Sequence, residues 1–213
     1  MQVPTEDSAV LPLYLASASP RRRELLQGLR VAFSVEAPHL DEAAIPGEDA
    51  RDHVVRLAAQ KAATVAAALA KRGVLALVLA ADTVVTIDGA LLGKPKDDAD
   101  ALAMLRLLAG RTNDVVTACR LVRGDDGRVA AAMTVTDVRF GPWDERLARW
   151  YVATGEPMDK AGAYGIQGLG VFLSAGITGS WSNVVGLPLE ALPGLFRDVG
   201  CDLFARVEGG NSG

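Results

Sequence analysis

The chain has 213 residues, half of them hydrophobic and 23% charged, so it can bury a sizeable core and fits one large domain better than two small ones. A formal net charge of -4 argues against binding a nucleic acid polymer along its surface, and two cysteines, Cys119 and Cys201, are too few for a disulfide framework. The most apolar run, Val74 to Ala81, is far too short to span a bilayer, and the first residues lack the basic and apolar regions of a signal peptide, so a cytoplasmic protein with no membrane partner is expected.

In chain order, Leu13 to Ala16 reads as a short buried strand. Pro20 suits the first position of a helix running through Leu26, with Ser19 as its N-cap. Val31 to Val35 reads as a second strand and leads to an acidic loop around Asp41 and Glu42. A long amphipathic helix is expected from about Asp49 to Arg72, because Val54, Ala58, Ala62, Val65 and Leu69 recur every three or four residues. After Gly73, Val74 to Ile87 reads as a strand, and Asp88-Gly89 signals a hairpin. A helix follows from near Asp97 to Gly110, its acidic first turn matching the helix dipole. Val115 to Val122 and Val129 to Phe140 read as a β-hairpin about Gly124 to Gly127. A helix over Asp144 to Thr154 then precedes a glycine-rich stretch from Lys160 to Gly170. Val171 to Val185 reads as a hairpin, and a last helix begins near Leu189, with Pro193 placed to kink it. Early alternation of strands and helices followed by antiparallel hairpins predicts an α/β fold, a mixed β-sheet with flanking helices. Residues 1–12 read as an N-terminal extension, 13–206 as a single catalytic domain and 207–213 as a disordered tail.

Three signals carry chemistry. Arg21 and Arg22 fall in the first turn of a helix, where the dipole is positive; either an anion sits there, or two solvated arginines cost a few tenths of a kcal/mol. Free amides at a helix start together with guanidinium forks make a phosphate site. Asp82 interrupts an apolar strand, so it must be paired, metal-bound or at a cleft edge; a structural Asp satisfied by backbone amides is the alternative to a metal ligand or general base. Taken alone, Glu42 and Lys94 read as ordinary loop residues, and Lys61, beside the apolar stripe of the long helix, reads as a lysine whose stem lies on apolar surface while its head reaches water. The stretch from Asp159 to Gly168 is dense in glycine, which means tight turns or close backbone approach to a ligand. Within it Gln167 can read a base edge and Tyr164 can pack on a ring, unless the segment is only a connector. His39 and His53 sit in no recognisable catalytic arrangement.

The segments Leu15-Ala16-Ser17-Ala18-Ser19-Pro20-Arg21-Arg22, Ala81-Asp82-Thr83, Lys94-Pro95, Asp159 to Gly168, and Val184-Val185-Gly186-Leu187-Pro188 together resemble the Maf family, also called septum-formation proteins. The match runs from Leu13 to about Leu189. The resemblance implies an elongated, two-lobed α/β fold with a central cleft, often homodimeric, similar to inosine triphosphate pyrophosphatases. It implies that Asp82 is the proton acceptor, working with a divalent cation (Mg²⁺ or Mn²⁺) held by Asp82 and Glu42. It also implies that Ser17, Arg21, Arg22, Glu42 and Lys94 line the cleft, and that Arg21, Thr83 and Gln167 set the choice of base. The stretch Ala163-Tyr164-Gly165-Ile166-Gln167 resembles the branch that hydrolyses dTTP and UTP to the monophosphate and pyrophosphate. The alternatives are 7-methyl-GTP pyrophosphatase activity and a nucleotide-binding regulator of cell division without turnover.

Overall fold

The computed structural model describes residues 11–43 and 45–207. The extension and tail expected from the sequence lie outside them, except for residues 11, 12 and 207. Seven strands form one mixed sheet: β1 (Leu13–Leu15), β2 (Ser34–Val35), β3 (Leu77–Ile87), β4 (Ala90–Leu92), β5 (Thr112–Arg123), β6 (Val129–Phe140) and β7 (Ser174–Thr178), in the order β2-β1-β3-β5-β6-β7, with β4 beside β3. The β2–β1 and β1–β3 pairs are parallel, and every later pair is antiparallel. No helix of the described residues is long and apolar enough to cross a membrane.

Helix starts follow the capping residues. Asp49 accepts from the Arg51 and Asp52 amides at the start of α2 (Ala50–Lys71), Asp97 from the Asp100 amide at α3 (Asp98–Leu108), and Asp144 from the Leu147 amide at α4 (Glu145–Ala153). Each cap satisfies amides that have no partner within the helix. Ser19 caps α1 (Pro20–Gly28) through the Arg22 amide. The expected stripe of α2 is buried throughout against the sheet. Asp88 and Gly89 both take positive φ, 52° and 78°, so this turn matches the sheet twist and joins β3 to β4.

Three expectations are corrected. The second strand shrinks to Ser34–Val35, because the earlier half of its segment pairs elsewhere: Val31 bridges antiparallel to Val207, and the Ala32 amide donates to the Arg206 carbonyl. No hairpin spans 171–185. Only Ser174–Thr178 is a strand, on the edge beside β6, and the Ser180 hydroxyl accepts from the Asn183 amide to start a short helix, α5 (Trp181–Val185). Pro193 lies in the first turn of α6 (Leu192–Asp198), where its missing N–H would have had no helical partner, so it starts the helix without a kink.

Buried apolar side chains gather in four clusters, two smaller ones beneath α2 and two large ones that divide the opposite face of β3 between them. Leu77, Leu79 and Ala81 belong to one, with Leu15, Leu26 and Phe196; Val85 and Ile87 belong to the other, with Leu105, Phe140 and Tyr151. Thr83 stands at the boundary on this face, while Asp82, on the opposite face, lies between Ala80 and Val84 and meets Lys61 of α2.

Candidate active site

Strand β3 changes partner in mid-course. On one side it pairs with β1 as far as Leu79 and with β4 only from Val85, so the backbone of Ala80 to Val84 has no strand beside it there, while β5 covers the other edge throughout. Asp82 and Thr83 stand in this gap. The chain leaves β1 at the same level, with the Ala16 amide donating to the Leu79 carbonyl (2.8 Å), and turns through Ser17 to Ser19 into α1. Ligands favour such a place, where a parallel strand hands over to a helix and the sheet order switches.

A cavity of about 380 Å³ fills the gap. Its walls bring together all eight residues singled out from the sequence: Ser17, Arg21 and Arg22 from the α1 turn, Asp82 and Thr83 from β3, and Glu42, Lys94 and Gln167 from three separate loops. Asp82 is 6% exposed, and its Oδ1 accepts from Lys61 Nζ at 2.7 Å. The same Nζ lies 2.9 Å from Glu42 Oε1. Lys61 is therefore not a lysine with its head in water. Its position one turn beyond Leu57 and Ala58 sets it on the buried stripe of α2, 6% exposed, where its charge is held between two carboxylates. That stripe was legible in the sequence, but the two carboxylates that meet Lys61 come from β3 and a distant loop, so its role was not.

Arg22 is buried and its guanidinium is bound by protein oxygens: Nε donates to the Gly186 carbonyl (2.7 Å), Nη1 to Ser17 Oγ (3.2 Å) and Nη2 to Thr83 Oγ1 (2.9 Å). Burial pushes its pKa down from the ordinary value while the Asp82 carboxylate opposes the shift, and an arginine remains charged regardless. Arg22 thus knits β3, the α1 turn and the residue after α5 together, and its charge reaches the cavity as a field rather than as a free fork. Gly186 suits this turn because its φ of 122° is one that residues with a Cβ rarely adopt.

Arg21, on the next face, reaches across the cavity to Asp159 (Nη1 to Oδ2, 2.8 Å), whose other oxygen accepts from Lys160 Nζ (2.7 Å). Lys94 is exposed on the rim. Gln167 is exposed, its amide free to face a ligand. Tyr164 is not free to pack on one: its ring meets Phe140 edge-on at 4.7 Å and its hydroxyl donates to Asn113 Oδ1 at 2.9 Å. Cys119, beneath the cavity on β5, is no nucleophile, because burial pushes its thiol up to about 12. Asp159 and Lys160 begin the glycine-rich segment, but only the fold brings them to Arg21 and sets Lys61 between Glu42 and Asp82.

The model of the family described as "Maf-like protein" matches residues 12–199. The chain belongs to the Maf family. Among its relatives in the family, the dTTP/UTP pyrophosphatase of Symbiobacterium thermophilum is 48% identical over 197 residues, covering 92% of this chain and 98% of the relative. Those of Oleidesulfovibrio alaskensis (46% over 194 residues, 90% and 87%) and Anaeromyxobacter sp. (48% over 202 residues, 93% and 94%) bear the same name. The Maf match thus includes every residue that lines the cavity.

Proposed function

We propose that this Maf protein is a nucleoside triphosphate pyrophosphatase acting on dTTP and UTP, releasing pyrophosphate and leaving the monophosphate, with residues 13–206 as its one catalytic domain. The observation that carries the reading is a buried carboxylate, Asp82, fixed by Lys61 and facing a helix start and several cations across one cavity. The names of the relatives point to the same substrates.

Cleavage between the α- and β-phosphates needs an attacking water, a base, and neutralisation of the leaving pyrophosphate. Asp82 would accept the water's proton, a role supported by the Lys61 contact that orients its carboxylate. Arg21, Lys94 and Lys160 surround the space a triphosphate would occupy and offset its charge, while the Ser17 to Arg22 turn presents backbone amides at the start of α1. A triphosphate would draw Arg21 and Lys160 away from Asp159. Gln167 offers an amide with both donor and acceptor, which suits the alternating edge of uracil or thymine.

Glu42 and Asp82, joined through one ammonium, make an oxygen donor pair of the kind Mg²⁺ or Mn²⁺ takes, with phosphate oxygens and waters completing the shell. Bound there, such an ion supplies charge neutralisation and polarises a phosphoryl oxygen. A cytoplasmic setting and a homodimeric assembly complete the proposal; the second is read directly by the solution mass of the purified protein.

Pyrophosphate release from UTP, dTTP, GTP and 7-methyl-GTP tests the function. The expected result is turnover of UTP and dTTP well above the purine nucleotides. No release from any of them, or preference for 7-methyl-GTP, overturns it.

A further inference from the structure

The loop that carries Gln167 contains Gly165, Gly168 and Gly170, yet one pair of side chains holds it at both ends. Before Gln167, the Gly165 amide donates to the Tyr151 hydroxyl oxygen at 3.1 Å. After it, the Leu169 amide donates to Glu156 Oε2 at 3.0 Å and the Gly170 amide to Glu156 Oε1 at 3.2 Å. Tyr151 and Glu156 are themselves joined, the hydroxyl donating to Oε1 at 3.1 Å. Tyr151 is fully buried on α4, part of the second apolar cluster, so the whole arrangement is anchored in the core. Burial and the adjoining carboxylate raise its pKa, which keeps the hydroxyl a donor.

The glycines are what this arrangement requires. A Cβ on Gly168 would meet both Glu156 oxygens at 2.6 Å, and one on Gly170 would meet the Gly165 carbonyl oxygen at 2.5 Å and the Tyr151 hydroxyl at 2.8 Å. The loop lies folded onto the Glu156 carboxylate with no room to spare. Neither Tyr151 nor Glu156 lines the cavity, and Glu156 meets Lys160 through its backbone carbonyl, which accepts from Lys160 Nζ (2.5 Å), not through the carboxylate that holds the loop.

We infer that Glu156, with Tyr151, is a positioning residue for base selection: it fixes the loop on both sides of Gln167 so that the Gln167 amide meets the base in one register. The inference rests on the reading of the cavity as a nucleotide site with Gln167 toward the base. A preorganised loop holds its polar groups where a matching base can satisfy them. A loosened loop lets Gln167 rotate to suit other bases and blunts discrimination.

Glu156→Gln keeps the shape but puts an NH₂ where one amide donor needs an acceptor, and Tyr151→Phe removes the hydroxyl that links the two ends. For each variant, KM and kcat are measured separately on UTP, dTTP, CTP and GTP, alongside thermal unfolding and hydrogen exchange of the 165–170 amides. The expected result is a KM for the preferred nucleotide raised roughly tenfold with kcat changed by less than about threefold, and a preference over the other bases reduced by about tenfold. Exchange at Leu169 and Gly170 should rise while the core stays protected. The two substitutions should not add when combined, since both open the same clamp. A uniform fall on every nucleotide, or unchanged selectivity in a folded variant with faster loop exchange, overturns the inference. A wild type that prefers another base overturns the pyrimidine assignment instead, and the clamp still stands or falls on whether its loss flattens that preference. A wild type with no base preference overturns the clamp outright.

Discussion

At the scale of single residues, the account turns on a carboxylate and an ammonium buried side by side. Asp82→Asn keeps the size of the side chain but removes the proposed proton acceptor and the Lys61 counter-charge, so turnover should fall by at least about a thousandfold in a folded protein. Near wild-type kcat would remove Asp82 from the chemistry. Lys61→Met leaves Asp82 buried without its partner, and breaking such a pair costs roughly 3–5 kcal/mol. Its thermal midpoint should therefore drop well below that of wild type, and activity should be lost as Asp82 and Glu42 are no longer held together. An unchanged midpoint would mean that solvent reaches the pair freely. In the proposed base site, Gln167→Ala would remove one polar partner, which should cost about 1–3 kcal/mol, or roughly ten- to a hundredfold in kcat/KM for UTP and dTTP. Equal losses on purine nucleotides would assign Gln167 to the loop instead.

At the scale of elements, what orders the loop bearing Glu42 is its attachment to α2. Glu48 Oε1 and Oε2 accept from Arg56 Nε and Nη2 (both 2.6 Å), His53 Nδ1 lies 3.0 Å from Oε2, and Arg56 Nη2 also donates to the Ala43 carbonyl (3.2 Å), next to Glu42. The Arg56 guanidinium holds the Glu48 carboxyl at about 2, below its ordinary value near 4.5. A carboxyl depressed in the folded state contributes stability that is fully present above the ordinary value and is lost as pH falls through about 2. The gap in melting temperature between wild type and Glu48→Gln should thus hold steady from pH 7 to about 5 and close between about 4.5 and 2. A gap that stays constant down to pH 2 would show that the pair is not what shifts the carboxyl.

The elements also mark what a sequence can disclose. Asp49, Asp97 and Asp144 act within a turn of their own position, so helix starts were readable from local spacing. Asp82 was readable because a charge in an apolar strand conflicts with its neighbours. The role of Lys61 was not, because its partners stand on β3 and a distant loop, and its apolar setting fits a solvated lysine equally well until those segments meet. The same holds for Val31, whose partner near the C-terminus was invisible locally, and for Ser180, whose capping of α5 outweighed the strand-like pattern around it. The glycine-rich loop announced close contact but not with what; Glu156 and Tyr151 supply the answer from outside the motif.

At the scale of the whole molecule, the site exists because β3 serves two large apolar clusters on one face and leaves its middle unpaired on one edge. Two carboxylates and a triphosphate repel one another in that gap, so hydrolysis should depend on a divalent cation. Activity should vanish after exhaustive chelation and return with Mg²⁺ or Mn²⁺; full activity in the chelated protein would exclude the ion from the reaction. The most direct test of the central claim is pyrophosphate release from UTP and dTTP, with GTP and 7-methyl-GTP beside them, by wild type and Asp82→Asn in parallel. Wild type should release pyrophosphate rapidly with the pyrimidine monophosphates as co-products and slowly from the purines, and folded Asp82→Asn should release almost none. Release of inorganic phosphate instead, a preference for 7-methyl-GTP, or equal rates from the two proteins would contradict it.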